Sequence, residues 1–258
     1  MRRLSQVFLR DRTYIDRIIS EVSPREGDVF LEVGPGQGAL TRPLLERGAT
    51  VIAVELDLLL LDKLREDLFP IFAERFVPVH GNYLRMPVGP LLPGAPVRFI
   101  SNLPYHISTP ALEKMVEEAR FYQDAHLMLQ REVAERINAA SGTKEYGYTS
   151  VLVRLRYEPR ALFYLSPLAF SPMPRVTSVF LRLVRLETDV ADSIIMKASE
   201  LARVAFRFRR RAMRNSLRPA LRERTLDVLE MAGVSPEKRP DQVSPEEYLE
   251  IARAINQA

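Results

Sequence analysis

The sequence predicts an α/β fold: a mostly parallel sheet with helices on both faces, followed by a small all-helical domain. Three observations carry this. Apolar strand-like runs alternate with amphipathic segments through the first two-thirds of the chain. The runs are almost continuously apolar rather than alternating, as strands buried on both faces require. Beyond about residue 187 only the helical period remains. The expected division is 1–186 for the sheet domain and 187–258 for the helical one.

The elements follow in order. "VFLEVG" (29–34), "TVIAVEL" (50–56), "FVPVHG" (76–81), "VRFISN" (97–102) and "AHLMLQ" (125–130) are the first strands. "DLLLLDKLREDLF" (57–69) and "TPALEKMVEEARF" (109–121) are helices between them. "RALFYL" (160–165) and "TSVFLRLVRL" (177–186) can close the sheet as a late hairpin. There are no internal repeats and no low-complexity segment.

Composition narrows the function. The chain has 258 residues, 47% apolar and 27% charged, enough for a large core and a second, smaller domain. It has no cysteine, which excludes disulfides, thiolate metal sites and cysteine nucleophiles. His80, His106 and His126 lie far apart, so no metal is expected. No apolar run approaches the roughly 18–20 residues of a membrane span. The basic start "MRRLSQVFLRDRTYIDRII" is interrupted by Asp11 and Asp16 and has no secretory apolar region, so a cytoplasmic place is expected. Net charge is +4, and only 5 of the 37 basic residues are lysine. Arginine forks suit phosphate, so an anionic partner is favoured.

"LEVGPGQGAL" (31–40) follows the first strand. Gly34, Gly36 and Gly38 let the backbone turn tightly and approach a ligand at the carboxyl end of that strand. Glu55 ends the next strand, 17 residues after Gly38. A carboxylate there can accept the hydroxyls of a ribose. Gly34-x-Gly36-x-x-Ala39 formally satisfies a dinucleotide fingerprint, so an NAD-dependent oxidoreductase is one reading. Glu32-x-Gly34-x-Gly36-x-Gly38 resembles instead the first motif of S-adenosylmethionine-dependent methyltransferases. Asn82, after the third strand, offers an amide oxygen to the adenine amine of such a cofactor, or simply forms a turn.

"FISNLPYHIS" (99–108) places an amide, a rigid proline and an aromatic ring at one strand end. One chemistry explains all four residues of "NLPY". The exocyclic amine of adenine is a poor nucleophile, because its lone pair delocalises into the ring. It must be held in line with a methyl donor while its hydrogens are accepted. Asn102 Oδ1 can accept one and the Leu103 carbonyl another, with Pro104 fixing the chain beyond it. Tyr105 can stack on the base. Positioning then carries the catalysis without a strong base.

"NLPY" resembles the adenine-amine methyltransferase motif, and with the rest of the chain it is similar to the ribosomal RNA adenine dimethyltransferases of the kasugamycin-resistance type. "SQVFL" (5–9) resembles that family's Gln-x-Phe-Leu cofactor cover, with Ser5 where glycine is usual. The resemblance makes Gln6, Phe8 and Leu9 cofactor contacts. "EVGPGQG" and "AVELD" match the cofactor loop and ribose acid. "FSPMPRVTSVFLRL" (170–183) resembles Phe-x-Pro-x-Pro-Lys-Val-Asp-Ser, with Arg175 for Lys and Thr177 for Asp. "FRFRRRAMRNSL" (206–217) and "RPDQVSPEEYLEIARAI" (239–255) resemble the family's C-terminal signatures. Asn82 stands where the family usually has Asp. The resemblance implies a class I methyltransferase sheet of seven strands and Phe170 as a second stacking ring opposite Tyr105. It further implies two methyl groups added to each of two adjacent adenosines near the 3′ end of small-subunit rRNA. The expected partner is that rRNA in an immature ribosomal subunit, and the expected state a monomer.

Residues 203–224 hold nine arginines and one acid, Glu223. Arg203, Arg207, Arg210, Arg211, Arg214 and Arg218 share one face if the segment is a single helix. Leu201, Ala205, Phe208 and Ala212 then lie on the other. A single-sign face of this length reads as a phosphate track. A membrane-surface helix is the rival, disfavoured by the flanking acids. Two other functions stay open: the macrolide-resistance type of methyltransferase, acting on large-subunit rRNA, and a ribosome-assembly factor with weak catalysis.

Overall fold

The computed structural model of the chain describes residues 7–94 and 96–255. Among these residues nine strands form: β1 (Phe8–Leu9), β2 (Val29–Val33), β3 (Thr50–Glu55), β4 (Phe76–His80), β5 (Val97–Asn102), β6 (Tyr122–Gln130), β7 (Tyr157–Leu165), β8 (Phe170–Ser171) and β9 (Ser178–Arg185). Seven of them make the main sheet in the order β4-β3-β2-β5-β6-β9-β7. The pairs from β4 through β6 are parallel and β6–β9 is antiparallel. The expected strands therefore all form. β1 and β8 are a separate antiparallel pair, with Leu9 opposite Phe170.

The chain reverses between β2 and β5, which lie side by side although β3 and β4 intervene in sequence. This is a topological switch point, where a parallel sheet opens a crevice at its carboxyl ends. The helices of this unit are α1 (Arg12–Val22), α2 (Thr41–Glu46), α3 (Leu58–Phe72), α4 (Ser108–Glu117) and the start of α5 (Arg131–Asn138). Asp11 and Asp57 cap α1 and α3, each accepting two backbone N–H groups at the helix start. Ile15, Ile18, Ile19 and Val22 of α1 pack with Leu64 and Leu68 of α3 and with Phe30, Val51 and Ile100 of the strands into one buried cluster.

The chain divides into two compact units, one through Ala134 with Arg160–Arg185 and the other Glu135–Pro159 with Leu186 onward. The sequence assigns 135–159 to the sheet domain, but this stretch belongs to the helical unit. Its helix α6 (Tyr148–Arg154) and its Tyr146, Val151 and Leu155 share a buried cluster with α7 (Asp192–Phe206). The unit continues with α8 (Met213–Ser216), α9 (Arg218–Leu221), α10 (Thr225–Met231) and α11 (Pro245–Ile255).

The single helix expected through the arginine-rich stretch does not form. α7 stops at Phe206, and turns lead to α8. Tertiary ties decide this. Met213 N–H donates to Lys238 O at 2.7 Å and Arg214 N–H to Pro236 O at 3.1 Å, which a continuous helix would forbid. The buried Ser216 hydroxyl lies within 3.3 Å of the Phe208, Arg211 and Ala212 carbonyls and so ties the turns to the start of α8.

Candidate active site

The glycine loop leaves β2 with Gly34 N–H donating to Val54 O at 2.9 Å, which locks it to the neighbouring strand. Gly38 has φ +79°, and a Cβ there would meet Leu64 Cδ1 at 2.5 Å. Gly36 has φ +55°, and its Cβ would meet Phe8 Cε1 at 2.9 Å. Glycine is therefore needed at both for handedness and for close packing, one against α3 and one against the β1 segment.

Glu55 is 3% exposed, and among the described residues its carboxylate is held by backbone N–H groups. Oε2 accepts from Gly36 N–H at 3.1 Å, and Oε1 from Leu56 and Asp57 N–H at 2.8 and 3.0 Å. A carboxylate offers about four acceptor positions. Three are taken by these bonds, and one, on Oε2, remains for a further donor.

Glu32 lies nearby on β2, 2% exposed, with Oε2 accepting from Thr41 Oγ1 at 2.7 Å. Burial pushes its pKa from 4.5 to about 7, with the neighbouring Glu55 charge adding and the Thr41 hydrogen bond opposing. Sequence reasoning quoted Glu32 in the motif but gave it no role. Its signal was a carboxylate inside an otherwise apolar strand.

At the end of β5, Asn102 Nδ2 donates to Val7 O at 3.0 Å. That bond fixes the amide, so Oδ1 is the free end, an acceptor without a partner among the described residues. Leu103 is buried, and Pro104 leads into a single turn, Tyr105–Ile107. Tyr105 keeps its ring partly exposed, with its hydroxyl 3.1 Å from Ser178 Oγ.

These groups meet in two adjoining cavities. The first is lined by Phe8, Leu9, Glu32, Gly36, Asn102, Leu103 and Tyr105, among others. The second is lined by Leu56, Asn82, Leu84 and Ile107. Gly34, Glu55 and Pro104 border both. The structure thus gathers Phe8, Leu9, the cofactor glycines, Glu55, Asn82 and the "NLPY" residues at one place, Gly38 standing behind the loop. Gln6 lies outside the described residues.

Three expectations fare differently. Phe170 is 5% exposed, sits in the buried cluster behind Leu9 and lines neither cavity. Asn82 Oδ1 already accepts Leu84 N–H at 3.0 Å, so the oxygen expected to meet an adenine amine closes a turn. The acid-free arginine face is also corrected. Arg214 is ion-paired with Glu237, Arg218 lies 4.0 Å from Glu223, and Arg209 pairs with Asp241 at 3.3 Å. Arg207, Arg210 and Arg211 are exposed without an acidic partner among the described residues, and with Lys144 they line an open depression.

Residues 1–257 match a protein family described as ribosomal RNA adenine dimethylase. The chain belongs to this family. A ribosomal RNA small subunit methyltransferase A of Xanthomonas axonopodis pv. citri is 38% identical over 252 residues, covering 96% of this chain and 94% of the relative. One from Cupriavidus taiwanensis is 37% identical, covering 98% and 92%. Among solved structures, a dimethyladenosine transferase from Plasmodium falciparum superposes with a TM-score of 0.81 at 23% identity, over 97% of this chain and 98% of that one. The 23S rRNA methyltransferase ErmE superposes at 0.68 with 28% identity, over 97% and 100%. The fold is the class I methyltransferase fold with a helical C-terminal part. As a family member the chain is an S-adenosylmethionine-dependent rRNA adenine dimethyltransferase. The NAD reading of the glycine loop falls with this.

The residues present fit that cofactor. Family members use an adenosyl group with a ribose, and a buried carboxylate borders both cavities where a ribose acid is needed. Among the described residues no group of three or more His, Asp or Glu is placed to hold a metal, and no helix is long and apolar enough to cross a membrane.

Proposed function

We propose that the chain dimethylates two adjacent adenosines near the 3′ end of small-subunit rRNA, acting as a cytoplasmic monomer on an immature subunit. The observation that supports this best is the fixed polarity of Asn102. One Nδ2 hydrogen goes to Val7 O, which fixes the flip of the amide and leaves Oδ1 as its unpartnered acceptor. An acceptor is what the hydrogens of an adenine amine require, and the Leu103 carbonyl supplies a second. Tyr105 stacks on the base and is kept in place through its hydroxyl and Ser178. Phe170 packs behind Leu9 and supports the β1 segment over the site.

S-adenosylmethionine supplies an electrophilic methyl group. Everything else is positioning by the chain. Glu55 orients the ribose, Gly34 and Gly36 allow close backbone approach, and Phe8 and Leu9 cover the site. As the amine becomes cationic, the two acceptors stabilise it, and its proton leaves to solvent without a dedicated base. In the helical unit, Arg207, Arg210 and Arg211 with Lys144 contact phosphates, which position an RNA without reading its sequence.

The test is incubation with labelled S-adenosylmethionine and immature small subunits lacking the modification, followed by mapping of methylated nucleotides. Label in two adjacent adenosines of the small-subunit rRNA is the expected outcome. Label confined to large-subunit rRNA would refute it.

A further inference from the structure

The second cavity has mostly apolar walls, among them Val54, Leu56, Leu84 and Ile107, with Tyr83 and His106 also lining it and Glu55 at its border. This shape and position suit a flat heterocycle attached to the ribose that Glu55 holds. Assigning a purine to this cavity therefore rests on the cofactor reading of the site. Asn82 brings an uncharged polar side chain to this wall.

The polarity of Asn82 is fixed by its own turn. Leu84 N–H can donate only to an oxygen, and it donates to Oδ1 at 3.0 Å. Arg85 and Met86 N–H reinforce the turn by donating to the Asn82 backbone carbonyl at 2.9 and 3.0 Å. Oδ1 is held toward the turn by this bond and keeps one lone pair, while Nδ2 has no hydrogen-bond partner among the described residues. It carries two donors and no acceptor. Asn82 is thus the mirror of Asn102: one amide presents nitrogen, the other oxygen.

A donor cannot bond to the 6-amino group of adenine, which is itself a donor. It can bond to ring N1, or to an oxygen at position 6. An aspartate at this position would keep the Leu84 bond with one oxygen and offer the second to the amine. We propose that Asn82 removes discrimination at purine C6, so that the cofactor site accepts a 6-oxo purine nucleoside about as well as a 6-amino one.

The test is calorimetric binding of S-adenosylhomocysteine and S-inosylhomocysteine, which differ at purine C6 and the N1 proton, to the full chain without RNA. The wild type should bind the two within about threefold. Asn82→Asp should prefer the adenosyl compound by about tenfold or more, the worth of one hydrogen bond gained against one repulsion. Asn82→Ser, whose hydroxyl can still close the turn but does not reach the ring, should weaken both ligands equally. A wild type that prefers the adenosyl compound tenfold, with Asn82→Asp unchanged, overturns the proposal. If neither compound binds the wild type, the cofactor reading of the cavity fails and takes the proposal with it.

Discussion

Replacing Glu32 by Gln should make the protein more stable above pH 7 and leave it unchanged near pH 4. The wild-type carboxyl titrates at 4.5 when unfolded and at about 7 when folded. Between these values the unfolded chain has released a proton that the folded chain keeps. Raising pH through this window therefore favours unfolding, and the loss is complete above about 7. At about 1.4 kcal/mol per pH unit, the interval amounts to about 3 kcal/mol. His126 runs the opposite way. It is fully buried, stacked on Phe180, and its ring nitrogens have no hydrogen-bond partner among the described residues. Burial lowers its pKa from 6.5 to about 4; Asp124 opposes this, and the charges of Arg98 and Arg182 add to it. Its stabilising effect is present above 6.5 and is lost as pH falls, again by about 3 kcal/mol. The two groups cancel over most of pH 4.5–6.5. Glu32→Gln keeps an acceptor for Thr41 and removes one side of the balance. Urea denaturation of the variant should show stability climbing by about 3 kcal/mol from pH 4 to 6.5, against a flat wild-type curve. Parallel curves, or a variant less stable at pH 8, would refute the buried-carboxyl argument.

Asn102→Ala should lower the methylation rate by about 10²–10³-fold, the cost typical of removing one group that stabilises a developing charge. RNA affinity, measured by filter binding, should stay unchanged. Gly38→Ala should cost about 1–3 kcal/mol, because φ +79° strains the backbone and the new methyl strikes Leu64; thermal denaturation reads this directly. Replacing Arg207 and Arg210 by Gln should reduce the log–log salt slope of RNA binding by about 1.4–1.8, while Arg214→Gln, already neutralised by Glu237, should leave it unchanged. Cofactor affinity should be unaffected by these arginine replacements.

The sheet was legible because its central strands β2, β3, β5 and β6 are buried on both faces and so appear as nearly unbroken apolar runs. The candidate site was legible because a parallel sheet opens its crevice at strand ends, and Gly34, Glu55 and Asn102 stand at three of them. What escaped depends on contacts remote in sequence. Periodicity favoured one arginine helix, but Lys238 and Pro236 carbonyls capture Met213 and Arg214 and break it. Residues 135–159 have sheet-domain neighbours in sequence, yet their apolar side chains find α7. The amide of Asn82 could have turned either way, and a backbone N–H two residues on decided it.

The bond between Asn102 and Val7 spans 95 positions in sequence. It makes the orientation of the Asn102 amide depend on where the Val7 carbonyl sits. With Val7 seated, the amide can hold only one of its two flips. With Val7 withdrawn, the flips become nearly equivalent, and in one of them a donor faces the target amine and repels it. One backbone carbonyl beside β1 thus sets which end of the Asn102 amide is left without a partner.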